Sequence, residues 1–68
     1  EGAAALTMRE REVLKLLASG VSATDDLADQ LFISQKTVKN HLASIYEKLA
    51  ITDRAQAVVE AMRLGIHR

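Results

Sequence analysis

Apolar residues recur at helical spacing in four separate stretches of this chain. In the first stretch, three of them share one helix face: Val13, Leu14 and Leu17. Ahead of them, Thr7 and Glu10 form a capping box, in which the hydroxyl and the carboxylate each satisfy a free backbone N–H group. Gly20 follows as a residue suited to a left-handed helix end. We therefore predict a first helix at about residues 8–19.

The second stretch is shorter. Leu27 and Leu31 lie one helical turn apart, so both face inward. Aspartates in the first turn suit the positive end of the helix dipole. We predict a helix at about residues 24–31, with Ser22 or Thr24 as its N-cap.

The third stretch has the clearest pattern. Ser34 is the predicted N-cap, and a single inward stripe follows it: Val38, Leu42, Ile45 and Leu49. The opposite face carries Lys36, Lys39, Asn40, Ala43 and Glu47. One border of the apolar stripe carries Thr37, His41 and Ser44. This pattern predicts a helix at about residues 35–49 with a basic outer face.

A fourth helix is predicted to begin at Thr52 or Asp53 and to run to about Leu64, with Gly65 as its stop. Its inward stripe consists of Ala57, Ala61 and Leu64. Strong helix formers fill all four stretches and proline is absent, so strands are not expected. The predicted fold class is all-α, a compact four-helix domain containing a helix-turn-helix.

Composition limits the chain to one small domain, because 68 residues can enclose only one compact core. The absence of cysteine excludes disulfides and thiolate metal sites. No apolar run has the length of a membrane span and no signal-peptide pattern is present, so we expect a cytoplasmic protein.

We interpret residues 1–5 as a linker remnant and residues 6–66 as the domain. Its helix-turn-helix covers about residues 24–43.

The residues offer no arrangement for catalysis or for a cofactor. Asp25 and Asp29 share a helix face, but no loop of spaced oxygen ligands accompanies them. His41 and His67 are isolated from other candidate ligands or bases. We therefore predict that the chain is not an enzyme, has no catalytic or metal-binding residues and needs no cofactor.

The charges are balanced in number but unevenly distributed. Nine basic and nine acidic residues give a net charge of zero. The second helix carries only negative charges, while the third carries three lysines against one glutamate. A neutral domain with one basic helix can still bind DNA, with modest affinity for random sequence.

The second and third predicted helices are joined by a tight turn, and the third presents lysine, asparagine and a small residue outward. This arrangement suits reading of the major groove. Lysine donates to guanine and asparagine pairs with adenine, so the predicted base contacts are Lys36, Lys39, Asn40 and Ala43. The small side chain of Ala43 lets the helix approach closely, and its methyl group can touch a thymine methyl. Hydroxyl and imidazole groups suit phosphate oxygens, so the predicted phosphate contacts include Thr37, His41 and Ser44.

The chain resembles the LuxR/NarL-type helix-turn-helix family over nearly its whole length, from Leu6 to Gly65. Four blocks carry the resemblance: Leu6–Leu14, Ile33–His41, Lys48–Leu49 and Asp53–Ala57. The resemblance implies a four-helix DNA-binding domain whose third helix enters the major groove. It implies the C-terminal output part of a bacterial transcription regulator, either a response regulator of a two-component system or a ligand-sensing activator.

The resemblance also implies roles for particular residues. It supports the same four base-contacting positions and adds Arg54 to the phosphate contacts, together with the N-cap region of the second helix at Ser22 and Thr24. Members of the family commonly dimerise through the last helix, which would use the apolar residues Val59 and Met62 left over from its inward stripe. The implied partners are double-stranded DNA, a second copy of the chain and RNA polymerase, with no membrane.

The chain departs from the family pattern in two places. Ala50 stands where a glycine is usual, and alanine tolerates a left-handed helix end poorly, so we expect the turn into the fourth helix to differ. The segment from Gly20 to Leu27 is one residue longer than usual and carries Asp25 and Asp26. Their charges would repel a phosphate at this helix start.

Three other interpretations are compatible with the helical pattern. A small helical bundle with a merely solvated charged face would show the same periodicity. A promoter-reading domain of a sigma factor has a similar capped first helix and turn, but it would need no dimer. A protein-interaction module would dock through Val59 and Met62 and would ignore DNA.

Overall fold

The computed structural model describes residues 5–67 of the chain, and four α-helices lie wholly within them. We number these helices in chain order: α1 Met8–Ala18, α2 Thr24–Leu31, α3 Gln35–Leu49 and α4 Arg54–Arg63. The described residues contain no β-strand. The all-α prediction is confirmed, with each helix within two residues of its predicted bounds. Residues 1–4 of the predicted linker remnant lie outside the described residues.

Side-chain caps begin three of the four helices. At α1 the predicted capping box is present, with Thr7 N donating to Glu10 Oε1 over 2.9 Å and Glu10 N donating to Thr7 Oγ1 over 3.1 Å. Ser34 Oγ accepts from the backbone N–H of Thr37 at 3.1 Å and caps α3, as predicted. At α4 the cap is Asp53, one of the two predicted residues, and it accepts from Gln56 N at 2.8 Å.

The prediction that Ser22 or Thr24 caps α2 is wrong. The N-cap residue is Ala23, and no side chain hydrogen bonds to the first turn of this helix as a cap. Thr24 is already the first helical residue, and its hydroxyl accepts a hydrogen bond from Arg54 instead. The Thr24 hydroxyl, which the local pattern assigned to capping, therefore forms a tertiary hydrogen bond instead.

The C-terminal ends of the helices use left-handed residues. Gly20 and Gly65 take φ values of 106° and 74° after α1 and α4, as predicted. After α3, Ala50 also takes a left-handed conformation (φ 56°, ψ 46°), so the expectation that alanine changes this turn is wrong. The following residue, Ile51, donates its N–H to Tyr46 O over 2.9 Å and packs against the core. These contacts offset the steric cost of the left-handed alanine.

The core lies where α1 packs against α4 and α3, with α2 packing on α3. Its buried apolar residues are Leu6, Val13, Leu14, Leu17, Leu27, Ala28, Val38, Leu42, Ile45, Ala57 and Ala61. Most of them belong to the predicted inward stripes, although Leu31, Leu49 and Leu64 at the helix ends are only half-buried. Because the inner face of α3 is used by both α1 and α2, its opposite face is left to the solvent. Among residues 5–67, no helix combines the length and apolarity that crossing a bilayer requires.

Candidate nucleic-acid interface

The outer face of α3 presents all four predicted base-contacting residues to solvent. Lys36, Asn40 and Ala43 follow one another at helical spacing along this face, with Lys39 beside them, and each is exposed. Val38 and Leu42, on the opposite side of the helix, are buried. The buried stripe therefore fixes which side of α3 is free to enter a groove.

The two lysines of this face are not neutralised by any described carboxylate. Neither Lys36 nor Lys39 forms a salt bridge with any described residue, whereas Lys48 and Arg63 pair with Glu10 and Glu60. The three aspartates on α2 likewise form no salt bridge within residues 5–67. A domain of zero net charge thus has a locally positive helix surface at Lys36 and Lys39, because its unpaired negative charge lies elsewhere, chiefly on the aspartates of α2.

The first turn of α3 holds Thr37 at the helix start. The hydroxyls of Ser34 and Thr37 lie 2.9 Å apart and share a hydrogen bond, and the turn contains no acidic residue. The positive end of the helix dipole is therefore opposed by no nearby carboxylate on α3. His41, one turn further along the same border, is half-buried.

Arg54 joins the starts of α2 and α4. Its Nη2 donates to Thr24 Oγ1 over 2.7 Å, a contact between residues thirty positions apart. No carboxylate of the described residues forms a salt bridge with Arg54, and its Nε is buried without a hydrogen-bond partner. Because Thr24 uses its oxygen as the acceptor, its hydroxyl proton stays available to a further acceptor. Two predicted phosphate contacts thus form one cationic, donor-rich group, while Ser22 lies exposed two residues before Thr24.

Tyr46 is a half-buried residue of α3 whose phenol is influenced by charges at the start of α4. Burial raises the pKa of the Tyr46 phenol, the charge of Arg54 opposes that change and the charge of Asp53 adds to it. The sequence pattern did not indicate that the charges of Arg54 and Asp53 act on this phenol.

Ser44, another predicted phosphate contact, lies in a different environment. It is half-buried and lies near the Glu10 carboxylate, whose pKa it helps to lower. A bond to DNA would require this hydroxyl to serve a second partner or to leave Glu10. The structure therefore groups Arg54 with Thr24 and Thr37 with Ser34, but it turns Ser44 toward α1.

Glu10 is a feature that the sequence revealed only in part. Its role in the capping box was predicted, but it is also a buried charged residue, with 3% of its surface exposed, and it pairs with Lys48 at 2.8 Å. Burial raises the pKa of the Glu10 carboxyl. Hydrogen bonds from Lys48, Ser44 and the Thr7 backbone outweigh burial and, with the charge of Lys48, lower this pKa from 4.5 to about 2.

The predicted dimer residues are exposed on α4. Val59 and Met62 keep 63% and 53% of their surface in contact with solvent. Val59 lines a shallow groove with residues of α4 and of the preceding turn: Ala50, Ile51, Ala55, Gln56 and Glu60. Exposed apolar side chains beside a groove are a feature of surfaces that pack against a partner.

Phe32 is a further exposed apolar residue, which the sequence pattern did not single out. It lies in the turn between α2 and α3, with 94% of its surface exposed and a left-handed backbone (φ 57°). Its neighbour Ile33 is half-buried and packs against the core. No cluster of three or more potential metal-binding side chains occurs in the part of the chain that the structure describes.

Comparison with known proteins connects this geometry to one family. Residues 4–61 match the family described as bacterial regulatory proteins, luxR family. The chain is 50% identical over 60 residues to the spore germination protein GerE of Bacillus subtilis (strain 168), spanning 88% of the chain and 80% of GerE. A solved structure of the transcription factor GerE superposes with a TM-score of 0.77 at 46% identity, covering 90% of each chain.

Longer regulators also contain a similar segment. The transcriptional regulatory protein DegU of Brevibacillus brevis is 48% identical over 60 residues, which are 88% of this chain and 25% of DegU. The probable transcriptional regulatory protein NarL of Mycobacterium tuberculosis (strain CDC 1551 / Oshkosh) is 50% identical over 58 residues, which are 85% of this chain and 26% of NarL. The chain thus spans most of GerE but only about a quarter of these two relatives.

Proposed function

Because this chain belongs to the LuxR family of bacterial regulatory proteins, we propose that it reads operator DNA by placing α3 in the major groove. Family membership makes the chain a helix-turn-helix DNA-binding domain of a transcription regulator and not an enzyme. The observation that carries the finer proposal is the exposed, unpaired basic face of α3. Its Lys36 and Lys39 have no acidic partner within the described residues.

Base contacts in this proposal come from the outer face of α3. Lys36 and Lys39 donate to guanine O6 and N7, and Asn40 pairs with adenine through its amide. Ala43 keeps the helix backbone close to the bases and can touch a thymine methyl. Exposure of all four side chains supports these roles, because none must break an internal contact to reach DNA.

Phosphate contacts in this proposal flank that face. Arg54 and Thr24 form one group, in which the guanidinium charge and the free hydroxyl proton both suit a phosphate oxygen. Thr37 and His41 form the second group, along the border of α3. Ser22 lies beside the first group. Ser44 contributes only if its hydroxyl serves DNA as well as Glu10.

We further propose that two copies pair through α4 on a two-fold operator, with Val59 and Met62 at the centre of the contact. The shallow apolar groove beside Val59 supports this pairing. In a longer regulator of a two-component system, an attached sensory domain would control the pairing. RNA polymerase is the further partner that a DNA-bound activator would contact. This function places the chain in the cytoplasm.

The test is fluorescence anisotropy of labelled duplex DNA titrated with the chain across a salt series. We expect steeply salt-dependent binding of a random duplex, and weaker binding of it by Lys36→Ala/Lys39→Ala, because the variant lacks two cations that attract the phosphate backbone. On a duplex that the parent chain selects from a random library, the double variant should lose most of the preference over random sequence. The complex at saturation should contain two chains.

Lys15→Ala is the matched control, since it removes an exposed lysine from α1 instead of α3. It should retain the preference for the selected duplex. Loss of preference in Lys15→Ala but not in the α3 variant would reject the proposed face. Binding of one chain per selected duplex would reject the dimer while leaving the groove-reading helix in place.

The competing functions predict different results in the same assay. A protein-interaction module would bind neither duplex at any salt concentration. A sigma-like domain would bind one promoter element as a single chain. The family match favours the regulator over both, since the matching proteins are described as bacterial regulators.

A further inference from the structure

One carboxylate oxygen connects the beginning of α1 to the end of α3. Glu10 Oε1 accepts a hydrogen bond from Thr7 N at 2.9 Å and another from Lys48 Nζ at 2.8 Å. Thr7 is the residue that starts α1, and Lys48 lies in the last turn of α3. The Glu10 side chain is only 4% exposed, so water does not compete freely for this oxygen.

The α3 partners of Glu10 belong to a stripe that also carries proposed phosphate contacts. Thr37, His41, Ser44 and Lys48 follow one another at helical spacing along one border of α3. The C-terminal half of this stripe, Ser44 and Lys48, turns toward Glu10. The N-terminal half is proposed to meet the DNA backbone. Because both halves lie on one helix, a contact that fixes the orientation of one half also sets the direction in which the other half faces.

The remaining contacts between α1 and α3 are apolar and do not fix a rotation as sharply. Burial of Val13, Leu14 and Ile45 is favourable over a range of helix orientations, because hydrophobic attraction has no preferred direction. Charge-assisted hydrogen bonds do have preferred distances and angles. Side-chain tips lie about 6 Å from a helix axis, so a turn of about 10° moves them by about 1 Å. A shift of that size is enough to spoil a base contact.

We propose that Glu10 is a positioning residue for DNA reading. By holding Lys48 it fixes the rotation of α3 about its own axis, and so sets the direction in which Lys39 and Asn40 face the bases. This inference rests on the proposed function of α3. It assigns the buried ion pair a role in sequence discrimination beyond its contribution to folding.

The test replaces the ion pair with apolar side chains of similar length, in Glu10→Met/Lys48→Met. Such replacements commonly preserve folding, because they remove both charges together. The matched control is Arg9→Gln/Glu12→Gln, which removes an exposed ion pair of 3.1 Å from the same helix. The probes are a duplex that the parent chain selects from a random library and a scrambled duplex of the same composition. The measured quantity is the ratio of the two dissociation constants, with folding checked by circular dichroism.

We expect the ratio to fall by at least about tenfold in the Met pair variant, which corresponds to the loss of about one base contact. Affinity for the scrambled duplex and its salt dependence should stay close to those of the parent. A role for Lys48 as a direct phosphate contact would instead lower the salt slope by about one. The exposed-pair control should keep the parent ratio.

A parent-like ratio in the folded Met pair variant would overturn the inference and leave the proposed function intact. If the parent itself binds neither duplex, the proposed function fails and this inference fails with it. Glu10→Gln/Lys48→Met serves if the Met pair does not fold, because glutamine keeps the acceptor for Thr7 and so preserves the start of α1. The same loss of discrimination is expected from it, and its absence would be equally decisive against the inference.

Discussion

Two residues with side chains hold left-handed backbone conformations that favour glycine. Phe32 and Ala50 end α2 and α3 with φ values of 57° and 56°. A left-handed conformation costs a residue with a side chain about 1–2 kcal/mol, although part of this is offset by the hydrogen bonds that close the helix ends. At Phe32 this conformational cost is accompanied by a second unfavourable feature, the almost complete exposure of an aromatic residue to water. Both positions therefore carry strain that the rest of the domain must offset.

We expect Ala50→Gly to raise the free energy of unfolding by about 0.5–1 kcal/mol, because glycine adopts this conformation without a steric cost. Urea denaturation followed by circular dichroism measures the change. Ala43→Gly is the matched control, since the same substitution in the interior of α3 should lower the free energy of unfolding by about 1 kcal/mol. A decrease at both positions would show that the left-handed alanine is not strained.

Among the helices, α2 differs from the others at its start. It has no side-chain cap, and its first residue, Thr24, is bonded to Arg54 on α4. Its beginning is therefore held by this tertiary contact and by a local bond from Asp26 N to Asp25 Oδ1 of 3.0 Å, without an N-cap side chain. In the proposed function this contact has a use, because it keeps the Arg54 charge and the Thr24 hydroxyl together beside the DNA backbone.

A side-chain cap should stabilise this helix. We expect Ala23→Ser to raise the free energy of unfolding by about 1 kcal/mol, since the serine oxygen can accept an unsatisfied N–H of the first turn. Ser34→Ala, which removes the existing cap of α3, should lower it by a similar amount. Thermal unfolding of the two variants provides the comparison. No gain from Ala23→Ser would mean that Asp25 Oδ1, which accepts from Asp26 N at 3.0 Å, already meets the needs of this helix start.

On the scale of the whole molecule, the part-buried pair of Glu10 and Lys48 links α1 to α3 at the edge of a small core. A domain of this size is marginally stable, so the loss of one partner of this pair, which would leave the other charge uncompensated, is a large change in its free energy of unfolding. Burial raises the pKa of the Glu10 carboxyl, but the hydrogen bonds it accepts, above all from Lys48, outweigh burial and lower this pKa to about 2. The folded state therefore holds the carboxylate more firmly ionised than the unfolded chain does.

Stability should consequently fall in acid. The contribution of Glu10 is fully present above its ordinary pKa of 4.5 and is lost as the pH falls toward about 2. Between about pH 6 and pH 3 the parent should lose about 2 kcal/mol through this group alone. Urea denaturation at both pH values, for the parent and for Glu10→Gln, isolates the effect, because the amide does not titrate. An equal loss in both proteins would contradict the assignment.

Much of the architecture could be predicted from the sequence, because local rules determine it. The inward stripes of α1 and α3, the caps at Thr7, Ser34 and Asp53, and the glycine stops depend on spacing and on the chemistry of neighbouring residues. The exposed face of α3 follows from the same periodicity. These features need no knowledge of how the helices pack, so the candidate base contacts could be named from the pattern alone.

Only the tertiary structure decided which distant side chains meet. Arg54 reaches Thr24 across thirty positions, and Lys48 reaches Glu10 across thirty-eight, and no local pattern encodes either pairing. The same packing bonds the Thr24 hydroxyl to Arg54, so this hydroxyl does not cap α2. It also places Ser44 near Glu10 of α1. Sequence periodicity determined the helices and their faces in this protein. Their relative placement, which decides where the charges are paired and where they stay free, depended on the assembled core.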